Sequence, residues 1–172
     1  MPTTQGYALF PTAIGSCAIA WGARGITGVQ LPEPDEAATR ARMASRFPSS
    51  AEAVVPPVVQ HAMDSIVALL NGAPTEPKDL RNIMLDMDGV PPFHQRVYAV
   101  ARGIPPGETI TYGELARQLG EPGAARAVGQ ALGHNPFAPV VPCHRILGAD
   151  GRAGGFSATG GVSTKLRLLE IE

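Results

Sequence analysis

The chain has 172 residues, 44% of them hydrophobic, which is enough to bury a core in one domain or two small ones, and it carries no internal repeat. A net charge of −1 excludes a global electrostatic pull toward nucleic acid, and 5% aromatic residues argue against a stacking surface for single strands. With no apolar run of membrane-spanning length, no signal-peptide pattern, and Cys17 and Cys143 too far apart for a zinc spacing or a disulfide framework, the sequence reads as soluble and cytoplasmic.

The first 33 residues read as β structure. Tyr7–Pro11 is a short apolar run, and Ser16–Trp21 and Ile26–Leu31 flank Gly22-Ala23-Arg24-Gly25, a hairpin signal with glycines where positive φ is needed. Pro34-Asp35-Glu36 marks a helix start with acid in the first turn, and the helix runs until Pro48. Pro56-Pro57 opens a second helix, with Val58, Ala62, Ile66, Leu69 and Leu70 predicted on one face and Gly72 at its end. Leu80–Leu85 is predicted to be a strand returning to the N-terminal sheet, and Gly89-Val90-Pro91-Pro92 a boundary dividing the chain into 1–90 and 91–172.

Charge follows that division. Residues 1–92 hold six Lys or Arg against nine Asp or Glu, whereas residues 93–172 hold eight against six, nearly all of the cations being arginine. An Arg-rich, mildly positive half suits phosphate contact. In that half Phe93, Val97, Val100, Ala101 and Ile104 recur at helical spacing until Pro105-Pro106-Gly107. Thr111-Tyr112-Gly113-Glu114 has the form of a capping box, and its helix, with Leu115 and Leu119 inward, stops at Gly120. Pro122 is then predicted in the first turn of another helix running to about Gly133. Two short helices joined by Gly-Glu-Pro-Gly form a helix-turn-helix. The second is lined by Ala124, Ala125, Ala127, Gly129 and Ala131, with Arg126 the long polar side chain near its start. Such a small-residue surface serves either close packing on a neighbouring helix or a DNA-facing side from which Arg126 protrudes.

Residues 139–146, Pro-Val-Val-Pro-Cys-His-Arg-Ile, are the most informative stretch. Val140 and Val141 read as a short buried strand that Pro142 stops, because proline has no N–H to donate. Cys143 is thus held at a strand end with His144 beside it, and a thiol next to an imidazole can be activated, since the thiolate is the nucleophile. An ordinary thiol near pKa ~8.5 is only a few per cent ionised at neutral pH. Lowering it to about 6 would raise the thiolate fraction roughly 30-fold, worth about 2 kcal/mol.

From Arg126 to Arg145 the chain reads RAVGQALGHNPFAPVVPCHR, preceded by the capped Thr111-Tyr112. This resembles the O6-alkylguanine-DNA alkyltransferases (methylated-DNA–protein-cysteine methyltransferases), closely over 93–172 and loosely over 1–90, where only a β-then-helix layout is shared. The resemblance implies an α+β protein. Its N-terminal domain has a small antiparallel sheet with helices, and its mostly helical C-terminal domain has the helix-turn-helix and a short strand carrying the reactive cysteine.

The resemblance also implies roles. Cys143 would accept the alkyl group from O6-alkylguanine, or O4-alkylthymine, in duplex DNA, in a single-turnover reaction without cofactor. His144 would link to the thiol through a water and be oriented by Glu172, not Glu170, of the C-terminal Leu-Leu-Glu-Ile-Glu. Asn135 would tie the recognition helix to the active-site turn, and Tyr112 would contact the guanine and supply a proton. Arg126 would fill the space left by an extruded base, with Ala125 and Gly129 beside it on the DNA. Pro142, Phe156 and Ser157 would form the substrate pocket, with Phe156 where the family commonly has tyrosine and a 158–161 loop two residues longer than usual. The expected partner is double-stranded DNA, met by a monomer that binds neither membrane nor metal.

Each role has a physical reason of its own. A His–Glu relay stabilises the imidazolium that forms when the thiol ionises. Guanine is a poor leaving group until a donor protonates it, which a Tyr112 hydroxyl or an N–H near Ser157 can do. The lesion is unreachable inside a duplex, so the base must be flipped. Two other readings compete. A non-catalytic sensor of alkylated bases would not need Cys143, and a Cys–His hydrolase would have no use for a helix-turn-helix.

Overall fold

The computed structural model describes residues 5–72, 80–149 and 162–172, and the chain divides into two compact units, Met1–Asp86 and Met87–Glu172. The division falls four residues before the boundary expected from Gly89-Val90-Pro91-Pro92.

In the first unit, strands β1 (Gly6–Thr12), β2 (Gly15–Gly22) and β3 (Gly25–Gln30) form an antiparallel meander in the order β1-β2-β3. The second hairpin turns on Ala23-Arg24, with Gly22 opposite Gly25. Gly25 takes a φ of 132°, and a Cβ there would lie 2.6 Å from the Met84 carbonyl oxygen, so both backbone conformation and close approach demand glycine. Helix α1 (Glu36–Arg46) begins at Asp35, whose Oδ1 accepts from the Ala38 N–H at 2.7 Å. Its Met43 packs with Tyr7, Ala18 and Ala20 on one side of the sheet. By strand alternation Cys17, Ile19 and Trp21 face the other way.

Helix α2 (Pro57–Leu70) starts with proline at its first position and buries Val59, Ala62, Met63, Ile66, Leu69 and Leu70. Val58, expected in that stripe, is 74% exposed. At 3.6 residues per turn it lies about 80° around the helix from Ile66, whereas Val59 lies within about 20° of it. The expected strand at Leu80–Leu85 is not formed. Residues 80–81 make a helical turn, and only Leu85 bridges to β3, through Ile26 N–H to the Met84 carbonyl at 2.9 Å and Asp86 N–H to the Ile26 carbonyl at 2.7 Å.

The second unit holds α3 (Pro92–Ala101), β4 (Ile110–Thr111), α4 (Tyr112–Gln118), α5 (Ala125–Gly133), a 3-10 turn at Cys143–Arg145, β5 (Ile146–Leu147) and α6 (Val162–Ile171). Thr111 caps α4, its Oγ1 accepting from the Glu114 N–H at 3.0 Å, and Gly120 ends that helix with a φ of 77°. Helix α5 begins at Ala125, three residues later than Pro122. Ala124 N–H bonds the Glu121 carbonyl at 2.9 Å, closing a turn with Pro122 at its second position, for which proline's fixed φ is suited. Gly123 follows in that turn, a residue that weakens a helix interior.

Val140 and Val141 are buried but form a turn, not a strand. The strand near the cysteine is β5, after it, paired in parallel with β4 through Ile110–Ile146 and Thr111–Leu147. That pairing ties the cysteine turn to the residue that caps the first helix of the helix-turn-helix.

Candidate alkyl-acceptor site

Cys143 opens the 3-10 turn and is 5% exposed. Its N–H bonds the Val141 carbonyl at 2.9 Å, and Arg145 N–H bonds the carbonyl of the buried Pro142 at 2.9 Å, fixing the turn from both sides. Asn135 staples the segment leading from α5: Nδ2 donates to the Val141 carbonyl at 2.8 Å, and Oδ1 accepts from the Phe137 N–H at 2.9 Å. The Asn135 amide also reaches the Cys143 thiol.

His144 is fully buried, with Nε2 2.7 Å from Glu172 Oε1. Arg145 grips the same carboxylate through Nε at 2.9 Å and through Nη2, while its Nη1 donates to the Ile104 carbonyl at 2.7 Å. Burial alone would raise the Glu172 pKa, but the hydrogen bonds from His144 and Arg145 outweigh it and hold the group at about 2. Glu172 is therefore an anion that can only accept, and His144 Nε2 must carry the proton. Burial keeps the imidazole neutral by lowering its pKa against the pull of Glu172, so the lone pair is on Nδ1. That Nδ1 is buried and has no hydrogen-bond partner among the described residues.

The sequence alone gave no sign of Lys165. Its side chain is 1% exposed, Nζ donates to the Ile146 carbonyl at 2.6 Å and to Tyr112 Oη at 3.4 Å, and it lies 5.6 Å from the Tyr112 ring centroid. Helix α6 buries Lys165 and Leu168, with the Glu172 side chain 3% exposed. These residues, at i, i+3 and i+7, form its inward stripe. Leu166, one position from Lys165 on the same helix, is 48% exposed. Hydrophobic periodicity missed the stripe because two of its three members are charged.

The resting thiol is not a thiolate. Burial pushes the Cys143 pKa up to about 11, against the opposing pulls of Asn135, Lys165 and two backbone N–H groups. Tyr112, half-buried at the start of α4, is likewise raised by burial and then by the nearby Cys143. Tyr98, also unforeseen, is fully buried, donates to the Ala131 carbonyl at 2.7 Å and braces α3 against α5.

On α5, Val128, Ala131 and Leu132 are buried and Arg126 and Gln130 exposed, so the small-residue helix both packs inward and presents an arginine. Ala125 and Gly129 are half-buried, and a Cβ on Gly129 would come 4.0 Å from the Tyr112 ring. The helix-turn-helix and the cysteine turn thus meet at Tyr112. Phe156 and Ser157 lie outside the described residues. Among the described residues no three His, Cys, Asp or Glu side chains converge as a metal site, and no helix is long and apolar enough to cross a membrane.

Residues 92–172 match the family description "6-O-methylguanine DNA methyltransferase, DNA binding domain". A methylated-DNA–protein-cysteine methyltransferase of Mycobacterium bovis is 49% identical over 111 residues, 64% of this chain and 63% of the relative, so the match spans less than two thirds of that protein. One of Methanothermobacter thermautotrophicus is 36% identical over 154 residues, 90% of this chain and 77% of the relative. The crystal structure of Mycobacterium tuberculosis OGT in complex with DNA superposes with a TM-score of 0.75 at 37% identity, covering 96% of this chain and 91% of that one. With likeness running through both halves and the Pro-Cys-His-Arg turn built around a buried thiol, the chain belongs to the methylated-DNA–protein-cysteine methyltransferase family.

Proposed function

We propose that the protein repairs duplex DNA by moving the alkyl group of O6-alkylguanine, and of O4-alkylthymine, onto Cys143 in a single irreversible turnover. The observation that carries this reading is the buried Cys143 thiol beside a neutral His144 whose Nε2 proton is held by an ionised Glu172.

The helix-turn-helix lays α5 on the DNA, and Arg126 enters the stack as the damaged base leaves it, offsetting part of an extrusion cost of a few kcal/mol. Ala125 and Gly129, lacking bulk, let the helix approach the duplex backbone. The family resemblance assigns the pocket for the base to Pro142, Phe156 and Ser157. His144 Nδ1 takes the thiol proton through one water, and Glu172, kept anionic by Arg145, stabilises the resulting imidazolium. Lys165 favours the sulfur's negative charge as it develops.

Sγ attacks the alkyl carbon in line. The S–C bond forms as the C–O6 bond breaks, and the electron pair passes to the guanine. Lys165 Nζ donates to Tyr112 Oη, leaving the Tyr112 O–H free to protonate the departing base; His144 then returns the proton to Tyr112. The thiol proton has ended on guanine and the alkyl group on sulfur. A thioether is not hydrolysed, so the protein is spent. No step draws on a cofactor. A thiol with a pKa near 11 until the proton is taken is protected from stray electrophiles. In bacteria such as the mycobacterial relatives, the DNA that needs this repair lies in the cytoplasm.

The test is stoichiometry. Mixed with excess duplex carrying O6-methylguanine, each protein molecule removes one methyl group and then stops. Continued demethylation beyond one equivalent contradicts the proposal.

A further inference from the structure

Helix α5, which the proposed function lays on the DNA, leads within two residues to Asn135, whose side chain holds the Val141 carbonyl and reaches the Cys143 thiol. Where α5 ends therefore decides where that amide stands. A helix leaves the carbonyls of its last turn without intrahelical partners, and a left-handed residue commonly satisfies them. Here the capping residue, His134, has φ −101° and ψ 11°, outside the left-handed region. The backbone N–H groups of His134 and Asn135 reach the Gln130, Ala131 and Leu132 carbonyls only at 3.2 Å. Side chains complete the end: His134 Nδ1 lies 2.8 Å from the Gln130 carbonyl, and Tyr98 Oη, on α3, donates to the Ala131 carbonyl at 2.7 Å.

Tyr98 is fully buried and close enough to Cys143 to feel its charge. Burial first, and then that charge, push the Tyr98 hydroxyl up to about 12, so it stays a donor while the thiol ionises. Of the four influences that draw the Cys143 pKa down, the Asn135 hydrogen bond is the largest. We infer that Tyr98 is a positioning residue for alkyl transfer: by holding the Ala131 carbonyl it fixes the end of α5, and with it the Asn135 amide on the Cys143 sulfur. Tyr98 touches no reacting atom and acts through Asn135, and its role rests on the alkyl-acceptor reading of Cys143.

Tyr98→Phe keeps the buried ring and its packing on His94, and removes only the donor. Single-turnover reaction with free O6-benzylguanine, which needs no DNA docking, is followed over a range of pH and normalised to the folded fraction from a thermal melt. The expected result is a rate about five-fold lower at pH 7, what an ordinary hydrogen bond is worth, with the rise of the pH–rate profile displaced to higher pH. Tyr98→p-aminophenylalanine, which restores a neutral donor at the same place, should recover both the rate and the profile. A folded Tyr98→Phe protein with the wild-type rate, a lower rate on an unmoved profile, or no recovery by the amine overturns the inference. Wild-type protein that takes up no benzyl group overturns the alkyl-acceptor reading itself, and this inference with it.

Discussion

Replacing Glu172 by glutamine removes one charge from the most heavily bonded carboxylate of the site. In the native protein that group accepts from His144 Nε2 at 2.7 Å and from two nitrogens of Arg145. Glutamine can still accept through its oxygen, but its amide turns one acceptor into a donor facing the guanidinium. Two effects follow. The bond to the forming imidazolium changes from charge-assisted to neutral, a difference of about 1.4 kcal/mol, which is ten-fold in rate. Separately, Arg145 is left buried without a counter-charge, which costs about 3–5 kcal/mol of stability.

The two are separated by measuring alkyl transfer from an O6-methylguanine duplex under single-turnover conditions, normalised to the folded fraction from a parallel thermal melt. The expected result is at least a ten-fold slower transfer per folded molecule, with DNA affinity unchanged because Arg126 and α5 are untouched. The pH dependence has a defined sign. A carboxylate held at about 2 against an ordinary 4.5 contributes stability that is fully present above 4.5 and lost as pH falls toward 2. The stability gap between wild type and Glu172→Gln should therefore persist from pH 7 to 5 and close on further acidification. Transfer at the wild-type rate by folded Glu172→Gln, or a slowed Glu170→Gln, would refute the reasoning.

Arg126→Ala should slow repair of duplex DNA far more than reaction with free O6-benzylguanine, since the free base needs no extrusion; equal losses would make Arg126 a structural residue. Lys165→Met keeps the length of a buried side chain but removes the cation facing Cys143, so transfer should fall at least ten-fold at pH 7 and the pH–rate profile should move to higher pH. An unmoved profile would leave Lys165 only the task of holding the Ile146 carbonyl.

Much of this was legible in residue order. Asp35 and Thr111 announce helix starts because short oxygen-bearing side chains satisfy the free N–H groups there, and Gly22-Ala23-Arg24-Gly25 announces a hairpin because little else tolerates the required φ. The alkyltransferase resemblance pointed to His144, Asn135 and Glu172, which the fold gathers around Cys143 and its turn. What stayed hidden has a common cause: tertiary contacts overrode local pattern. Val140-Val141 looks like a strand, yet Asn135 bonds the Val141 carbonyl and bends the segment into a turn. Lys165 looks like a solvated residue until the Ile146 carbonyl and Tyr112 supply its partners. Arg145 read as part of a motif, and only the fold reveals it as the clamp that keeps Glu172 charged. Adjacency of the thiol to histidine is visible in the sequence, whereas the burial that pushes its pKa up is not.

The most direct test is where the alkyl group ends. Both thiols are buried, and burial pushes Cys17 up to about 12, with only Thr12 at 3.7 Å opposing it, whereas Cys143 has Asn135 and Lys165 lowering its pKa and His144 beside it in the chain. After reaction with an O6-methylguanine duplex, digestion and peptide mass mapping should find one methyl on the peptide bearing Cys143 and none on that bearing Cys17. Methyl on Cys17, or an unmodified protein alongside demethylated DNA, would contradict the account.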